Sequence, residues 1–290
     1  MGALTLLVTG ADGFLGRAVV RAAMARGHVV RRLTRQPGGD VVADLAAGLP
    51  AGALDGVDRV IHCAGRLAGD AAALMRDNVA ATRNLAQAGA VPMVLAGSIA
   101  VCDGMAARVD EETPPDPRPD LRDAYTRAKI AQEAVADTGR PLRILRLGAL
   151  WGPGRLWNAH LGVRAGPLFL RLGRGEIPLA HVDNAALALV IAAEGDWQGR
   201  ELVQVVDDIR PDARRYLAAL PAAPRLILPV PFALMDMLAR LAAPLFGPRL
   251  PGLLRRPTLH ARMAPRTYAN ARLHALGWAP VAAFPEGLTR

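Results

Sequence analysis

The strongest constraint on the fold lies at the start of the chain. Leu4-Thr5-Leu6-Leu7-Val8 is a continuous apolar run, as a strand buried on both faces requires. Thr9-Gly10-Ala11-Asp12-Gly13-Phe14-Leu15-Gly16 follows at once, a turn with glycines spaced three and three. A helical pattern then runs from about Leu15 to Arg26 and closes at Gly27. Gly10 suits a tight turn, Gly13 admits close backbone approach, and Gly16 lets the helix pack on the strand. A helix N-terminus so placed offers free N–H groups and a partial positive charge to an anion. Glycine turns are common, but this strand–turn–helix order points to the pyrophosphate of a dinucleotide.

The alternation continues along the chain. His28–Thr34, Asp58–Cys63, Pro92–Ala96 and Leu142–Leu147 read as strands, and Val79–Ala88 and Tyr125–Asp137 as helices. Strands alternating with helices imply an α/β fold with a doubly wound parallel sheet and right-handed crossovers. Hydrophobic residues make up 52% but aromatics only 4%, which suits helices packed closely on such a sheet. Residues 1–150 are expected to form the dinucleotide-binding domain. Beyond about Gly152 the pattern loosens, and Pro221, Pro224, Pro229 and Pro231 divide the chain. Residues 151–290 therefore read mainly as a smaller substrate-binding lobe, with some segments returning to the sheet.

The second strand bears on cofactor preference. An acid at its end would bind ribose hydroxyls, but here the chain reads Leu33-Thr34-Arg35. Arg35 matches the geometry of a 2′-phosphate, so NADP is expected, with NAD the alternative; a solvated surface charge is the other reading of Arg35. Asp44, before Leu45, is expected to contact adenine, a loop-capping role being its alternative.

Tyr125 and Lys129 are four apart on one face of a predicted helix. A free phenol has a pKa of about 10, and a neighbouring ammonium is expected to lower it. Such a tyrosine exchanges a proton with a substrate oxygen. The spacing alone is weak evidence, but Lys129 is the only lysine among 35 basic residues. A compact ammonium does something there that a planar guanidinium would not. Ser98 lies at the carboxyl end of a predicted strand, where open α/β sheets build their sites, and could bond the same oxygen. An ordinary turn or cap serine is the alternative.

These motifs, with their flanks, resemble the extended short-chain dehydrogenases/reductases, the NAD-dependent epimerase/dehydratase group. Thr9–Gly16 resembles TGxxGxxG, and Asp58-Arg59-Val60-Ile61-His62-Cys63-Ala64-Gly65 a DxVxHxAx strand. Asn78-Val79-Ala80-Ala81-Thr82-Arg83-Asn84-Leu85 is similar to NVxGTxNL. Gly97–Val101 resembles the serine strand, and Thr113-Pro114 through Lys129 the acidic loop leading into YxxxK. Arg146–Gly154, His181-Val182-Asp183-Asn184-Ala185 and Leu276-Gly277-Trp278-Ala279-Pro280 complete the series in the right order. The resemblance implies a Rossmann fold with Ser98, Tyr125 and Lys129 catalytic. Gly10, Gly13, Phe14, Leu15 and Gly16 would then hold the pyrophosphate, and Arg35, Asp44 and Leu45 the adenosine half. Ala64 and Gly65 would line the nucleotide path, with Tyr125, Lys129 and Leu147 at the nicotinamide. Asn78 would brace strands or a water. Cys102-Asp103 and Asn184 depart from the pattern, and short segments at 65–78 and 155–180 weigh against a bulky nucleotide-sugar.

The expected activity is hydride transfer between nicotinamide and a carbonyl or secondary alcohol. A sugar epimerase or dehydratase with recycled cofactor is one alternative, though Ile99-Ala100 after Ser98 disfavours dehydration. A non-catalytic nucleotide sensor on the same fold is another. Net charge is +9, much of it after residue 210, but no basic run alternates with aromatics, so nucleic acid is not an expected partner. Cys63 and Cys102 have no metal-ligand spacing around them, so neither a metal nor a disulfide framework is expected. No positively charged leader precedes the first strand, and a cytoplasmic enzyme, monomeric or homodimeric, is expected. Val230–Phe246 is apolar but too short and charged for a membrane span. Leu226–Phe246, with Arg249, Arg255, Arg256 and Arg262, is read as a lid over a small hydrophobic or acidic substrate. A packed helical lobe is the alternative, and contact with a membrane surface a weaker one.

Overall fold

In the computed structural model, which describes residues 2–165, 167–173, 175–247 and 254–288, the first strand is β1 (Thr5–Thr9). It sends Leu6 and Val8 into one core layer and Leu7 into the other, the period-two alternation of a strand covered on both faces. The chain continues through α1 (Phe14–Ala25), β2 (Val29–Thr34), β3 (Val41–Val42) and β4 (Arg59–His62). Next come α2 (Ala71–Leu74), α3 (Ala81–Gln87), β5 (Met93–Ser98), β6 (Arg108–Val109), α4 (Ala124–Ala136) and β7 (Leu142–Leu147).

The remaining elements are β8 (Ala149–Trp151), β9 (Val163–Ala165), β10 (Leu168–Arg171), β11 (Leu179–His181), α5 (Val182–Glu194) and β12 (Arg200–Val205). They are followed by α6 (Ala213–Ala219), β13 (Leu226–Pro229), α7 (Phe232–Phe246), α8 (Arg256–Met263), β14 (Thr267–Tyr268) and α9 (Ala271–Ala275).

Among the described residues the main sheet has seven strands in the order β12-β7-β5-β4-β1-β2-β3, parallel throughout. This is the doubly wound order, with its switch point between β1 and β4. α1 and α5 cover one face through Val19, Leu189 and the small Ala185 and Ala188. Leu85 of α3 and Ala136 of α4 pack on the other with Leu33, Leu95 and Ile144. Alanines on α5 let helix and sheet approach closely, which is how the chain packs with so few aromatics.

The helix expected from Val79 starts differently. A π-helical turn, Met75–Ala80, joins α2 to α3. Asn78 Nδ2 donates to Leu74 O at 3.0 Å, and this side-chain insertion into the backbone ladder accompanies the wider turn. Asn78 also grips Arg66 on both sides, accepting from its N–H at 3.0 Å and donating to its carbonyl at 3.1 Å. It braces the loop after β4 rather than adjacent strands.

Within residues 151–290, α5 and β12 belong to the main layers, while β9, β10 and β13 form a separate small sheet. The C-terminal segment is tied to α5 by Asn184. Its Oδ1 accepts from Val281 and Ala282 N–H at 2.8 and 3.0 Å, and its Nδ2 donates to buried Asp207 at 2.8 Å. An ionised aspartate at this position could not make that last bond.

Candidate active site

The carboxyl ends of β1, β4, β5 and β7 border a groove made of two adjoining cavities of about 410 and 370 Å3. Gly10, Gly13, Ala64 and Gly65 line both. Gly10 has φ +63°, and a Cβ there would meet the Ala64 backbone at 2.8 Å. A Cβ on Gly16 would lie 2.0 Å from Gly10 O. No side chain caps α1 at Gly13, so its first-turn N–H groups face the groove without competition. A glycine cradle closed by an uncapped helix N-terminus fits a pyrophosphate.

Phe14, Leu15, Gly16 and Leu147 line the larger cavity, and Arg35 and Leu45 the smaller. Asp44, expected at adenine, lies between Ala43 and Leu45, both of which line the smaller cavity. It is absent from both linings, accepts from Ala46 N–H at 3.2 Å and pairs with Arg76. It caps the loop through the bond from Ala46. Arg35 stands 3.3 Å from Asp77, which Arg66 and Arg76 also hold at 2.6 and 2.7 Å. Three guanidiniums thus surround two carboxylates beside the end of β2. Nothing in the sequence marks Arg66, Arg76 and Asp77 as site residues, because their charges meet Arg35 only through the fold.

Ser98, Tyr125 and Lys129 meet in the larger cavity. Asp123 accepts from Thr126 N–H at 2.9 Å and so starts α4 two residues before Tyr125. Ser98 ends β5, and its Oγ accepts from Ala100 N–H at 3.2 Å, so it caps the turn as well as facing the cavity. The tyrosine's environment corrects one expectation. Burial pushes the Tyr125 phenol up from its ordinary value, with the Ser98 hydroxyl pulling the other way. The ammonium does not offset this. Lys129 Nζ donates to Ala96 O at 2.9 Å and to Gln132 Oε1, and burial pushes the lysine itself down to about 8.

A buried polar chain continues from the lysine. Gln132 Nε2 donates to Thr82 Oγ1 at 2.8 Å, and Thr82 donates to Asn78 O at 2.6 Å. The Thr82 proton is therefore engaged, and His62 Nε2, at 2.8 Å, is the donor to its oxygen. His62 Nδ1 then accepts from Thr9 Oγ1 at 2.6 Å, and Thr9 Oγ1 accepts from Ala64 N–H at 3.2 Å. Burial holds His62 neutral, its pKa down to about 3. The chain joins the lysine to the strand that carries the glycine turn. Below it Arg146 and Glu133, both buried, pair at 2.9 Å and tie β7 to α4.

Arg155, Trp157, Asn158, His160 and Arg262 also line the larger cavity, and of these the amino-acid sequence points only to Arg262, as part of the expected lid. Arg155 lies over the Phe14 ring at 5.4 Å, and no ion pair holds it among the described residues. Arg262 donates to Asp123 at 3.0 Å. Both guanidiniums lie close enough to Tyr125 to lower its pKa. Cys63 also lines the groove, but burial pushes its thiol up to about 12 and keeps it unreactive.

The lid expectation is also corrected. No residue of 226–246 lines either cavity; among the described residues of the expected lid, Arg262 alone does. Arg249 lies outside the described residues. Among the described residues, no cluster could hold a metal, both cysteines are free thiols, and no helix is long and apolar enough to cross a membrane.

The profile of the NAD dependent epimerase/dehydratase family matches residues 6–203. A 3-diazoavenalumate denitrifying reductase of Streptomyces is 31% identical over 99% of this chain and 100% of its own. The dTDP-glucose 4,6-dehydratase DesIV of Streptomyces venezuelae, solved with NAD, aligns with TM-score 0.72 at 20% identity, covering 99% of this chain and 95% of its own. A human epimerase family protein solved with NADPH aligns with TM-score 0.66 at 22% identity, covering 98% and 97%.

Proposed function

The chain belongs to the NAD dependent epimerase/dehydratase family, and on that premise we propose that it is an NADP-dependent oxidoreductase acting on a small anionic carbonyl compound or the matching secondary alcohol. The observation that carries this reading is the meeting of Ser98, Tyr125 and Lys129 in one cavity beside the glycine cradle. The cofactor, when bound, supplies or accepts the hydride at the substrate carbon.

The chain's own residues do the rest. Gly10, Gly13 and the first turn of α1 hold the pyrophosphate. Arg35 holds the 2′-phosphate, supported by the surplus of guanidinium over carboxylate around Asp77. Tyr125 gives a proton to the substrate oxygen in reduction and takes it back in oxidation. Its raised pKa keeps it protonated, the form that reduction needs. Ser98 donates to the same oxygen as negative charge develops. Lys129, bonded to Ala96 O, stands at the nicotinamide ribose end.

Arg155 supports an anionic substrate, being a half-buried guanidinium with no acid partner among the described residues. Trp157 supplies an aromatic surface beside it. The two free thiols are consistent with a cytoplasmic enzyme.

The test is NADPH oxidation over paired carbonyl compounds with and without a carboxylate, run beside Tyr125→Phe. The expected result is consumption of NADPH, preference for the carboxylates, and loss of about 100-fold or more in the variant. Full activity in Tyr125→Phe, or cofactor that stays tightly bound and is never consumed, would overturn the reading.

A further inference from the structure

Residues 213–285 contain ten arginines and a single acid, Asp236, so the chain's entire net charge of +9 lies within them. The same stretch carries α7, which is apolar on two opposite sides. Its inner side holds buried Ala239, with Phe232 and Met235, against Leu172, Leu259 and Met263. The outer side holds Leu234, Met237, Leu238, Leu241 and Leu245, between 42% and 78% exposed. At 3.6 residues per turn these five fall in one stripe about 100° wide. A helix so apolar all round is ordinarily buried.

Charge decides what covers the stripe. Asp236 lies on the inner side, bonded to Arg240, Arg256 and His260, so it presents no free carboxylate. Arg240 flanks the stripe with its side chain 62% exposed, and Arg225 is exposed and held by no ion pair among the described residues. A two-fold interface between copies would set this cationic region against itself. An anionic headgroup layer over hydrocarbon matches both features, since arginine stems lie along apolar surface while their heads reach phosphate.

We propose that α7 docks this protein on the surface of an anionic phospholipid bilayer. The stripe lies at the boundary of headgroups and acyl chains, and the exposed Arg240 and Arg225 contact lipid phosphates. The helix lies on the bilayer without crossing it, since no described helix is long and apolar enough to span. Asp236 ties the inner side of α7 to α8, the helix whose Arg262 lines the larger cavity.

The test is flotation of the full chain with vesicles of phosphatidylglycerol and phosphatidylcholine in equal parts, and with phosphatidylcholine alone. The protein is expected to float with the anionic vesicles, to stay behind with the neutral ones, and to be released by salt. Leu241→Glu/Leu245→Glu should lose at least about ten-fold in partition, and Arg225→Glu about five-fold, with unchanged melting temperature because both sites are exposed. Absence of anionic-vesicle binding, or equal binding by the double variant, overturns the proposal. So does a wild-type dimer that the double variant converts to monomer, since a second copy then covers the stripe.

Discussion

Lys129→Met tests whether the site lysine is held against its own solvation. Its pKa falls from 10.5 to about 8, chiefly because burial penalises the ammonium. A basic group so depressed binds fewer protons in the folded chain than in the unfolded chain between those two values. Stability therefore rises with pH across that window. Below it both states are charged and the full penalty applies, about 3 kcal/mol at roughly 1.4 kcal/mol for each pH unit of the window. The variant also loses the bonds to Ala96 O and Gln132, whose change on deprotonation is already contained in the folded-state pKa. Subtracting the variant's stability from the wild type's thus isolates the ionisation. Urea unfolding without cofactor, at about pH 7 and about pH 9.5, should show the wild type gaining roughly 2 kcal/mol on the variant as pH rises. A flat difference, or one of opposite sign, would mean that the ammonium carries no burial penalty and that the reasoning fails.

Three further outcomes are expected. Gly10→Ala forces a Cβ onto the Ala64 backbone at 2.8 Å with φ +63°, so it should cost more than about 1 kcal/mol in thermal unfolding and weaken cofactor binding measured by fluorescence. Glu133→Gln leaves the buried Arg146 without its carboxylate and should destabilise the chain by about 3–5 kcal/mol in urea, while Arg146→Met with Glu133→Leu should recover much of that loss. Arg35→Ala should raise KM for NADPH about ten-fold or more with little change for NADH in steady-state kinetics, and equal effects on both would remove Arg35 from the 2′-phosphate role.

Local signals make much of the molecule legible. Alternation in β1, the glycine turn and the capping Asp123 act over a few residues, so the strand–turn–helix order and the parallel sheet follow from the amino-acid sequence alone. Tyr125 and Lys129 are legible for the same reason, since i,i+4 spacing puts them on one helix face. The start of the π-helical turn at Met75 is not, because it involves Asn78 bonding back across a loop to Arg66.

What stays hidden in the sequence is every property that depends on which groups meet across long separations. The phenol's pKa is raised although a lysine lies one turn away, because burial of Tyr125 and the partners of Lys129 are set by packing against β5. Arg35, Arg66 and Arg76 converge on Asp77 only once β2 and the segment after β4 are neighbours. The apolar run at 230–246 could equally have closed over the cavity or faced outward. Asp236, bonded to α8, turns one side of α7 inward and leaves the leucine stripe at the surface. Propensity and spacing are properties of neighbours along the chain, whereas burial and charge proximity are properties of the packed molecule. The helix and its apolar residues can be named from the first, and the direction they face only from the second.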